Sequence, residues 1–181
     1  IPGRIGGAIV GNAGAMGGEM KDVITSVQSI DLQTFEMKNR SAEQCAFEYR
    51  ASIFQKTDEV IVSCDIACKE GDREALRETL KANLAYRAKT QPKGFGSSGC
   101  MFKNYEPKDN EIESLRAKGV PETMLNARRI SAGWLVDQSG GKAIRSGDAM
   151  VSDEHANFVI NVGNATAKNV LDVVAQVKNI V

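Results

Sequence analysis

A run of residues rich in glycine and serine, from 94 to 99, divides this chain of 181 residues and limits what its middle can fold into. Both residue types are poor in a helix interior, glycine because of its backbone freedom and serine because its hydroxyl competes for backbone hydrogen bonds. The run therefore predicts a loop over residues 91–104. Cys100 follows it directly, and we expect its thiol to face whatever this loop encloses.

The segments before the loop predict strands followed by one long helix. Residues 23–31 and 59–68 are rich in β-branched residues, which favour strands. Asp72 is a suitable N-cap for a helix that Pro92 ends. Leucine recurs in this helix at every fourth residue, which predicts a buried stripe formed by Leu76, Leu80 and Leu84.

The segments after the loop predict short helices, a strand region and a final helix. Residues 111–118 and 131–138 predict the short helices, and residues 149–162 predict strand on either side of a polar turn. Thr166 is a suitable N-cap for the last helix. Its apolar positions at helical spacing are Val170, Leu171, Val174 and Val177. The order of elements predicts an α+β fold in two parts that meet near residue 90.

Charge and cysteine usage argue against several classes of function. The chain has no net charge, whereas nucleic-acid binding needs a basic surface, and no apolar run approaches the roughly 20 residues of a membrane span. Cys64 and Cys68 do not have the Cys-x-x-Cys spacing and His155 is the sole histidine, so no metal site is expected. The two cysteines are instead expected on one face of a strand. Reduced thiols predict a cytoplasmic protein.

The first 20 residues contain seven glycines. Glycine permits positive φ and close backbone approach, so this stretch can wrap around a flat or phosphate-bearing ligand. It contains neither the P-loop pattern nor a dinucleotide-binding glycine pattern after a strand. A packing loop of small residues is the alternative interpretation of the same stretch.

Six segments resemble, in the same order, motifs of the bacterial UDP-N-acetylenolpyruvoylglucosamine reductase family. The most specific of them is the run Ser-Gly-Cys-Met-Phe-Lys-Asn, which is similar to the family's Ala-Gly-Ser-x-Phe-Lys-Asn loop. Apart from residues 105–130, the resemblance covers nearly the whole chain. The matching segments are Ile1–Ala8 with Asn12–Ala15, Phe47–Phe54, Arg87–Pro92, Ser98–Asn104, Ala132–Gln138, and Val151–Phe158 with Gly163–Ala167.

The resemblance implies an NADPH-dependent enzyme with FAD that reduces UDP-N-acetylglucosamine enolpyruvate to UDP-N-acetylmuramate for peptidoglycan synthesis. In this family reduced flavin passes hydride to C3 of the enolpyruvyl group, and a nearby acid protonates C2. Residues 1–90 would be part of a flavin-binding α+β domain, and residues 91–181 a smaller α+β domain that binds the UDP-sugar. The resemblance also implies that backbone groups cradle the flavin, at Pro2, Gly3, Gly6, Gly7, Asn12, Ala13 and Gly14.

The resemblance assigns the two catalytic roles to Arg50 and Cys100. A guanidinium stays charged and can hold the substrate carboxylate through two parallel hydrogen bonds, which is the role of Arg50. Cys100 stands where the family usually has a serine, and a thiol gives up its proton more easily than an alcohol. The alternatives are a surface arginine and a buried structural thiol.

Further polar residues of these motifs are weaker candidates for the substrate site. Lys103 would supply a point charge for a phosphate or carboxylate, and Asn104 follows it on the same loop. Tyr49 and Ser52 would donate hydrogen bonds near the flavin or the substrate. His155 is expected to hold the turn before the strand at residues 158–162.

Three departures from the family limit what this polypeptide is expected to do alone. The family's glycine-rich pyrophosphate loop lies N-terminal to the matching part, and its assisting glutamate lies in a Glu-Val-Arg segment after the last helix. Residues 105–130 have no clear counterpart. Both ends are therefore expected to be cuts within a longer protein, and the chain to bind FAD poorly. Two other interpretations remain open, a related flavin oxidoreductase with another substrate and a non-catalytic fragment.

Overall fold

The computed structural model describes residues 3–181, so Pro2 lies outside the described residues. The chain forms two compact units, the first ending at Leu80 and the second beginning at Lys81. Each unit contains both helices and sheet, which confirms the predicted α+β class. No helix within residues 3–181 has the length and apolarity needed to cross a membrane.

The first unit is built on a three-stranded antiparallel sheet with strand order β4-β3-β5. A helix and a small two-stranded ribbon precede this sheet, and the predicted strands at 23–31 and 59–68 are present with only small shifts of their ends. The elements are α1 (Ile5–Val10), β1 (Gly14–Ala15), β2 (Gly18–Glu19), β3 (Ile24–Asp31), β4 (Met37–Ser41) and β5 (Glu59–Ile66).

The core of the first unit explains why α1 forms in a glycine-rich stretch. Ile9 of α1 is completely buried and packs with apolar residues of the sheet and loops: Ile24, Val27, Cys45 and Phe54. The two glycines of α1 together cost about 2 kcal/mol relative to alanine. Burial of Ile9 is worth about 1.5–3 kcal/mol and Val10 packs against the same core, so tertiary packing offsets the local preference.

The prediction of a buried leucine stripe is wrong. Leu76, Leu80 and Leu84 are 60%, 58% and 57% exposed, and no residue of their helix, α2 (Arg73–Thr90), is buried against the described part of the chain. Asp72 does cap this helix, because its Oδ1 accepts a hydrogen bond from the Ala75 N–H at 2.7 Å. The capping depends on adjacent residues alone, whereas burial requires a packing partner.

The second unit contains a four-stranded antiparallel sheet with strand order β6-β9-β8-β7. Two short helices precede α5 and β7, and a long helix, α6, ends the unit and packs on the sheet. The elements are β6 (Gly96–Cys100), α3 (Ile112–Ala117), α4 (Glu122–Asn126), α5 (Ala132–Gln138), β7 (Arg145–Ser146), β8 (Ala149–Val151), β9 (Phe158–Asn161) and α6 (Ala167–Ile180).

The last helix lies on the sheet through valines and begins at the predicted cap. Thr166 Oγ1 accepts a hydrogen bond from the Asn169 N–H at 3.2 Å. Val173 and Val177 are completely buried in the core formed with α5 and the sheet, while Leu171 is 66% exposed and does not face the core as its helical spacing predicted. The spacing of apolar residues leaves open which of them face the core. The direction in which the helix packs on the sheet buries Val173 and leaves Leu171 exposed.

Two further predictions need correction. The predicted loop at 91–104 contains a strand, β6, whose backbone pairs with β9 on one edge of the sheet. Backbone pairing outweighs the poor strand propensity of glycine and serine here, and the pairing shifts register between Ser97 and Cys100. Cys68 is exposed beyond the end of β5, so it does not share a strand face with Cys64.

A buried glutamate holds the three strands of the first sheet together. The Glu59 side chain is 0% exposed and accepts hydrogen bonds from Ser29 Oγ and Arg40 Nη2, both at 2.6 Å. Lys38 Nζ lies 3.5 Å from the same carboxylate. The hydrogen bond from Arg40 lowers the pKa of Glu59 to about 2, against an opposing effect of burial.

This ion pair predicts a pH dependence of folding stability. The folded pKa of Glu59 lies below the value of about 4.3 for an unfolded glutamate, so its stabilisation is complete above about pH 5 and is lost as the pH falls towards 2. We expect Glu59→Gln to lower the free energy of unfolding at pH 7 by roughly 2–3 kcal/mol and to flatten its dependence on pH below 5. Urea unfolding at a series of pH values measures both effects. The exposed Glu36→Gln serves as the control, and an unchanged slope in the Glu59 variant would contradict the prediction.

Candidate functional site

Arg50 lies in a strained position of a tight turn. The backbone of Glu48 and Ala51 pairs through hydrogen bonds of 3.0 and 3.1 Å, which leaves Tyr49 and Arg50 at the tip. Arg50 has φ +55°, a left-handed conformation that glycine adopts easily and a large side chain does not. Such strain costs about 1–3 kcal/mol and clusters at functional sites, although it is not unique to Arg50: Asn12, Met16, Phe35, Ala46 and Arg128 also have positive φ.

The Arg50 guanidinium is held by main-chain oxygens. Nη2 donates a hydrogen bond to the Gly14 carbonyl at 2.6 Å, and Nη1 donates to the Asn12 carbonyl at 3.4 Å. The guanidinium carbon lies 5.2 Å from the centroid of the Tyr49 ring, a cation–π distance. Two of its five N–H donors are thus used, and no carboxylate of the described residues lies within ion-pair distance of Arg50. The remaining donors suit an anionic ligand.

Ser52 has a structural contact. Ser52 is 2% exposed, and its Oγ donates a hydrogen bond to the Val10 carbonyl at 2.8 Å. That bond ties the segment after Arg50 to the end of α1. The hydroxyl proton that was predicted for flavin or substrate is therefore used within the first unit.

Part of the predicted flavin-binding stretch lines an open cavity of about 630 Å³. Gly3, Gly7 and Ala13 belong to its walls, while Gly6 faces β5 and Pro2 lies outside the described residues. Arg4 also lines the cavity and was not predicted; the available signal was a guanidinium directly after a glycine, because arginine binds phosphate and glycine permits close backbone approach. The complete lining consists of Gly3, Arg4, Ile5, Gly7, Ala8, Ala13 and Met20.

Asn12 and Gly14 lie on either side of Ala13 in the chain, but they do not line the cavity. The Asn12 side chain is 0% exposed and makes three hydrogen bonds within the protein. A Cβ atom at Gly14 would lie 2.6 Å from Glu19 Cγ, 2.8 Å from the Gly18 carbonyl oxygen and 3.2 Å from Arg50 Nη1. Glycine is therefore required at this position mainly by the close approach of the β2 backbone at Gly18.

In the second unit, Cys100 lies at the end of the edge strand β6. Gly99 before it has φ +92°, so the register shift of β6 depends on a glycine at this place. Cys100 is exposed and is not in a disulfide. An exposed thiol does not fit the alternative of a buried structural cysteine.

The loop after Cys100 is braced by Asn157, a residue of the motif at Val151–Phe158 for which no separate role was predicted. Asn157 is 2% exposed; its Oδ1 accepts a hydrogen bond from the Phe102 N–H at 3.0 Å, and its Nδ2 donates to the Phe102 carbonyl at 2.9 Å. Its own carbonyl accepts from the Met101 N–H at 2.7 Å. An asparagine directly before an apolar strand was the available signal, because a buried amide needs partners.

Lys103 and Asn104 face different surroundings, although they are adjacent. Asn104 Oδ1 accepts a hydrogen bond from the Ala132 N–H at 3.1 Å, at the start of α5. Lys103 borders a mainly apolar cavity of about 240 Å³ whose other walls come from Phe102, α5, α6 and Val181. The residues of the Ser98–Asn104 motif therefore do not share one site in the second unit: Lys103 lines this cavity, whereas Cys100 does not.

His155 holds the turn before β9, as predicted. Its carbonyl accepts a hydrogen bond from the Phe158 N–H at 2.9 Å, and its Nδ1 accepts from the Asn157 N–H at 3.2 Å. The ring lies 4.8 Å from the Phe158 ring. Burial lowers the pKa of His155, which favours the neutral ring that can accept at Nδ1.

The brace at Asn157 leads to a testable prediction. Asn157→Ala leaves the N–H and carbonyl of Phe102 unpaired, so we expect a loss of about 2–4 kcal/mol in unfolding free energy and faster amide exchange at Phe102. Asn157→Asp keeps one acceptor and should cause a smaller loss of exchange protection. The exposed Asn126→Ala is the control. Equal exchange rates in the alanine variant and the unsubstituted chain would show that the brace is unimportant.

Comparisons with known proteins identify the family of this chain. A family model described as the UDP-N-acetylenolpyruvoylglucosamine reductase C-terminal domain matches residues 91–181. The UDP-N-acetylenolpyruvoylglucosamine reductase of Syntrophus aciditrophicus is 34% identical over 179 residues, which is 98% of this chain and 49% of that protein. The reductase of Carboxydothermus hydrogenoformans is 34% identical over 181 residues, which is 100% of this chain and 52% of that protein.

A solved structure shares the fold. The crystal structure of UDP-N-acetylenolpyruvylglucosamine reductase (MurB) from Thermus caldophilus aligns with a TM-score of 0.77 at 32% identity, over 99% of this chain and 57% of that chain. The chain spans about half the length of the curated relatives that it matches. The family model, the relatives and the fold together show that this chain belongs to the UDP-N-acetylenolpyruvoylglucosamine reductase family.

Proposed function

We propose that this chain is part of an NADPH-dependent, FAD-containing reductase that converts UDP-N-acetylglucosamine enolpyruvate to UDP-N-acetylmuramate in peptidoglycan synthesis. The observation that carries the proposal is Arg50, a strained residue whose guanidinium is anchored on one side and has donors left for an anion. No disulfide joins the cysteines of residues 3–181, which fits a cytoplasmic location for the reaction.

The cavity of the first unit supports a place for part of the FAD. Small residues, Gly3, Gly7, Ala8 and Ala13, leave room for a flat ring system, and Arg4 supplies a cation for a phosphate. When bound, FAD supplies the hydride that C3 of the enolpyruvyl group receives, and NADPH is the reductant that restores it. Ile5 and Met20 add apolar surface to the same walls.

Arg50 would bind the carboxylate of the enolpyruvyl group. Addition of hydride at C3 places negative charge on C2 and on this carboxylate. A fixed guanidinium stabilises that charge, and its two bonds to backbone carbonyls keep it oriented before the reaction begins. Lysine would not replace it, because a point charge cannot form two parallel hydrogen bonds.

Cys100 would hold the proton that C2 receives. Its S–H bond breaks as the C2–H bond forms, and the thiolate that remains takes a proton back from solvent after product release. The exposed position of Cys100 suits this exchange, and the turn at Gly99 sets the thiol beyond the paired part of β6. A thiol supplies the single proton that the usual serine supplies in the family.

Replacing Cys100 in the full-length protein tests this role. We expect Cys100→Ala to leave reduction of the flavin by NADPH intact and to lower turnover of the enolpyruvyl substrate by about 10²–10⁴-fold, the typical contribution of a positioned acid. Cys100→Ser should restore a large part of the turnover. NADPH absorbance measured with and without substrate separates the two half-reactions. Full turnover in the alanine variant would mean that another group donates the proton.

Flavin binding by the 181-residue chain itself tests how much of the cofactor site it contains. Arg4 is the only cation among the described residues that line the cavity, whereas FAD carries two phosphates. We therefore expect weak FAD binding, seen as little change in flavin fluorescence on titration, and tighter binding by the full-length protein. Tight one-to-one binding by the chain would show that its residues suffice for the cofactor. Arg4→Ala should weaken whatever binding the chain has.

A further inference from the structure

We propose that Asn12 is a positioning residue for Arg50, so that its side chain serves the orientation of the guanidinium rather than contact with the flavin. This inference rests on the proposed function, because it gives Arg50 a ligand to bind. It concerns the first unit alone, where all of the contacts lie.

The Asn12 side chain is completely used inside the protein. Its Nδ2 donates hydrogen bonds to Glu19 Oε2 at 2.8 Å and to the Glu48 carbonyl at 2.9 Å. Its Oδ1 accepts from the Lys21 N–H at 3.0 Å. Both donor hydrogens of the amide are thus engaged, and the side chain is 0% exposed, so a ligand could reach it only by breaking these bonds.

The same residue controls Arg50 at two points. Through Nδ2 it holds the carbonyl of Glu48, which begins the turn that carries Arg50. Through its own carbonyl it accepts a hydrogen bond from Arg50 Nη1, and the neighbouring Gly14 carbonyl accepts from Nη2. Asn12 therefore hydrogen-bonds both to the turn that carries the Arg50 backbone and to the Arg50 guanidinium.

Asparagine suits this place for two reasons. Asn12 has φ +39°, and asparagine tolerates left-handed backbone better than most residues with a side chain. Its amide also matches its neighbours, since a donor faces the Glu19 carboxylate and the Glu48 carbonyl while an acceptor faces the Lys21 N–H. Aspartate has the same shape and backbone tolerance, but its carboxylate oxygen has no hydrogen to donate. It would face the Glu19 carboxylate and the Glu48 carbonyl, which are both acceptors.

That difference gives a selective test in the full-length reductase. We expect Asn12→Asp to lower kcat by about 10–100-fold, the effect of displacing a catalytic group by about 1 Å, while flavin reduction by NADPH continues. Adding Glu19→Gln gives the glutamine amide a hydrogen to donate to the aspartate, so the double variant should recover at least part of kcat. Asn39→Asp, the same change on β4, is the control and should leave kcat unchanged.

Two results separate positioning from a general loss of stability. In an Arg50→Lys background, Asn12→Asp should cause almost no further fall in kcat, because its effect acts through the guanidinium. An equal fall in both backgrounds, or an unchanged kcat for Asn12→Asp, would overturn the proposal.

A measurement on the 181-residue chain is independent of activity. In a ¹⁵N-labelled sample, the guanidinium N–H signals of Arg50, identified by their loss in Arg50→Lys, should show slow exchange with water. Asn12→Asp should speed this exchange, and Glu19→Gln in the same chain should slow it again. If the full-length protein does not reduce the enolpyruvyl substrate, the proposed function fails while this result still decides the inference. Exchange that Asn12→Asp leaves unchanged would overturn it.

Discussion

The hydrogen bonds between the Arg50 guanidinium and the backbone around residue 13 organise the candidate site of the first unit. They join segments that lie 36 and 38 residues apart in the chain, and they hold a large charged side chain on a turn position that favours glycine. A guanidinium that found its position only after a ligand arrived would have to lose conformational freedom at that moment. Here the protein supplies the order in advance, at the cost of local backbone strain.

The second unit uses a similar device with different residues. Asn157 pairs with both the N–H and the carbonyl of Phe102, two residues beyond Cys100, and so fixes the loop that carries the thiol. In both units a buried asparagine hydrogen-bonds to the backbone of a loop beside a candidate residue. Asn157 pairs both polar groups of Phe102, and Asn12 adds a second hydrogen bond to the Glu48 carbonyl, which the Ala51 N–H also pairs. A buried amide is rigid because each of its lost hydrogen bonds would leave an unsatisfied group in a poorly hydrated place. The proposed reactive side chains, Arg50 and Cys100, can then stay at least partly exposed while the backbone near them is held by hydrogen bonds.

The sequence predicts local features well and burial poorly. The caps at Asp72 and Thr166 and the strands β3 and β5 are present where expected, because they depend on residues that are close in the chain. The leucines of α2 do recur at helical spacing, but their side chains are not buried against the described residues. The strand β6 was not predicted from the sequence, because its partner strand β9 begins nearly 60 residues later and local propensity gives no sign of such a pairing.

For the site, the motifs in the amino-acid sequence determined which residues are candidates and which family the chain resembles. The positions of Arg50, Cys100 and the glycine stretch within recognisable motifs suffice for that, since residue type and order are properties of the chain. Only the tertiary structure decided how each candidate is used. Ser52 and Asn12 are turned inward and satisfied by groups 42 and 36 residues away, while Arg50 keeps donors for a ligand. The reason is physical: whether a polar side chain can bind a ligand depends on which hydrogen bonds the fold has already made with it.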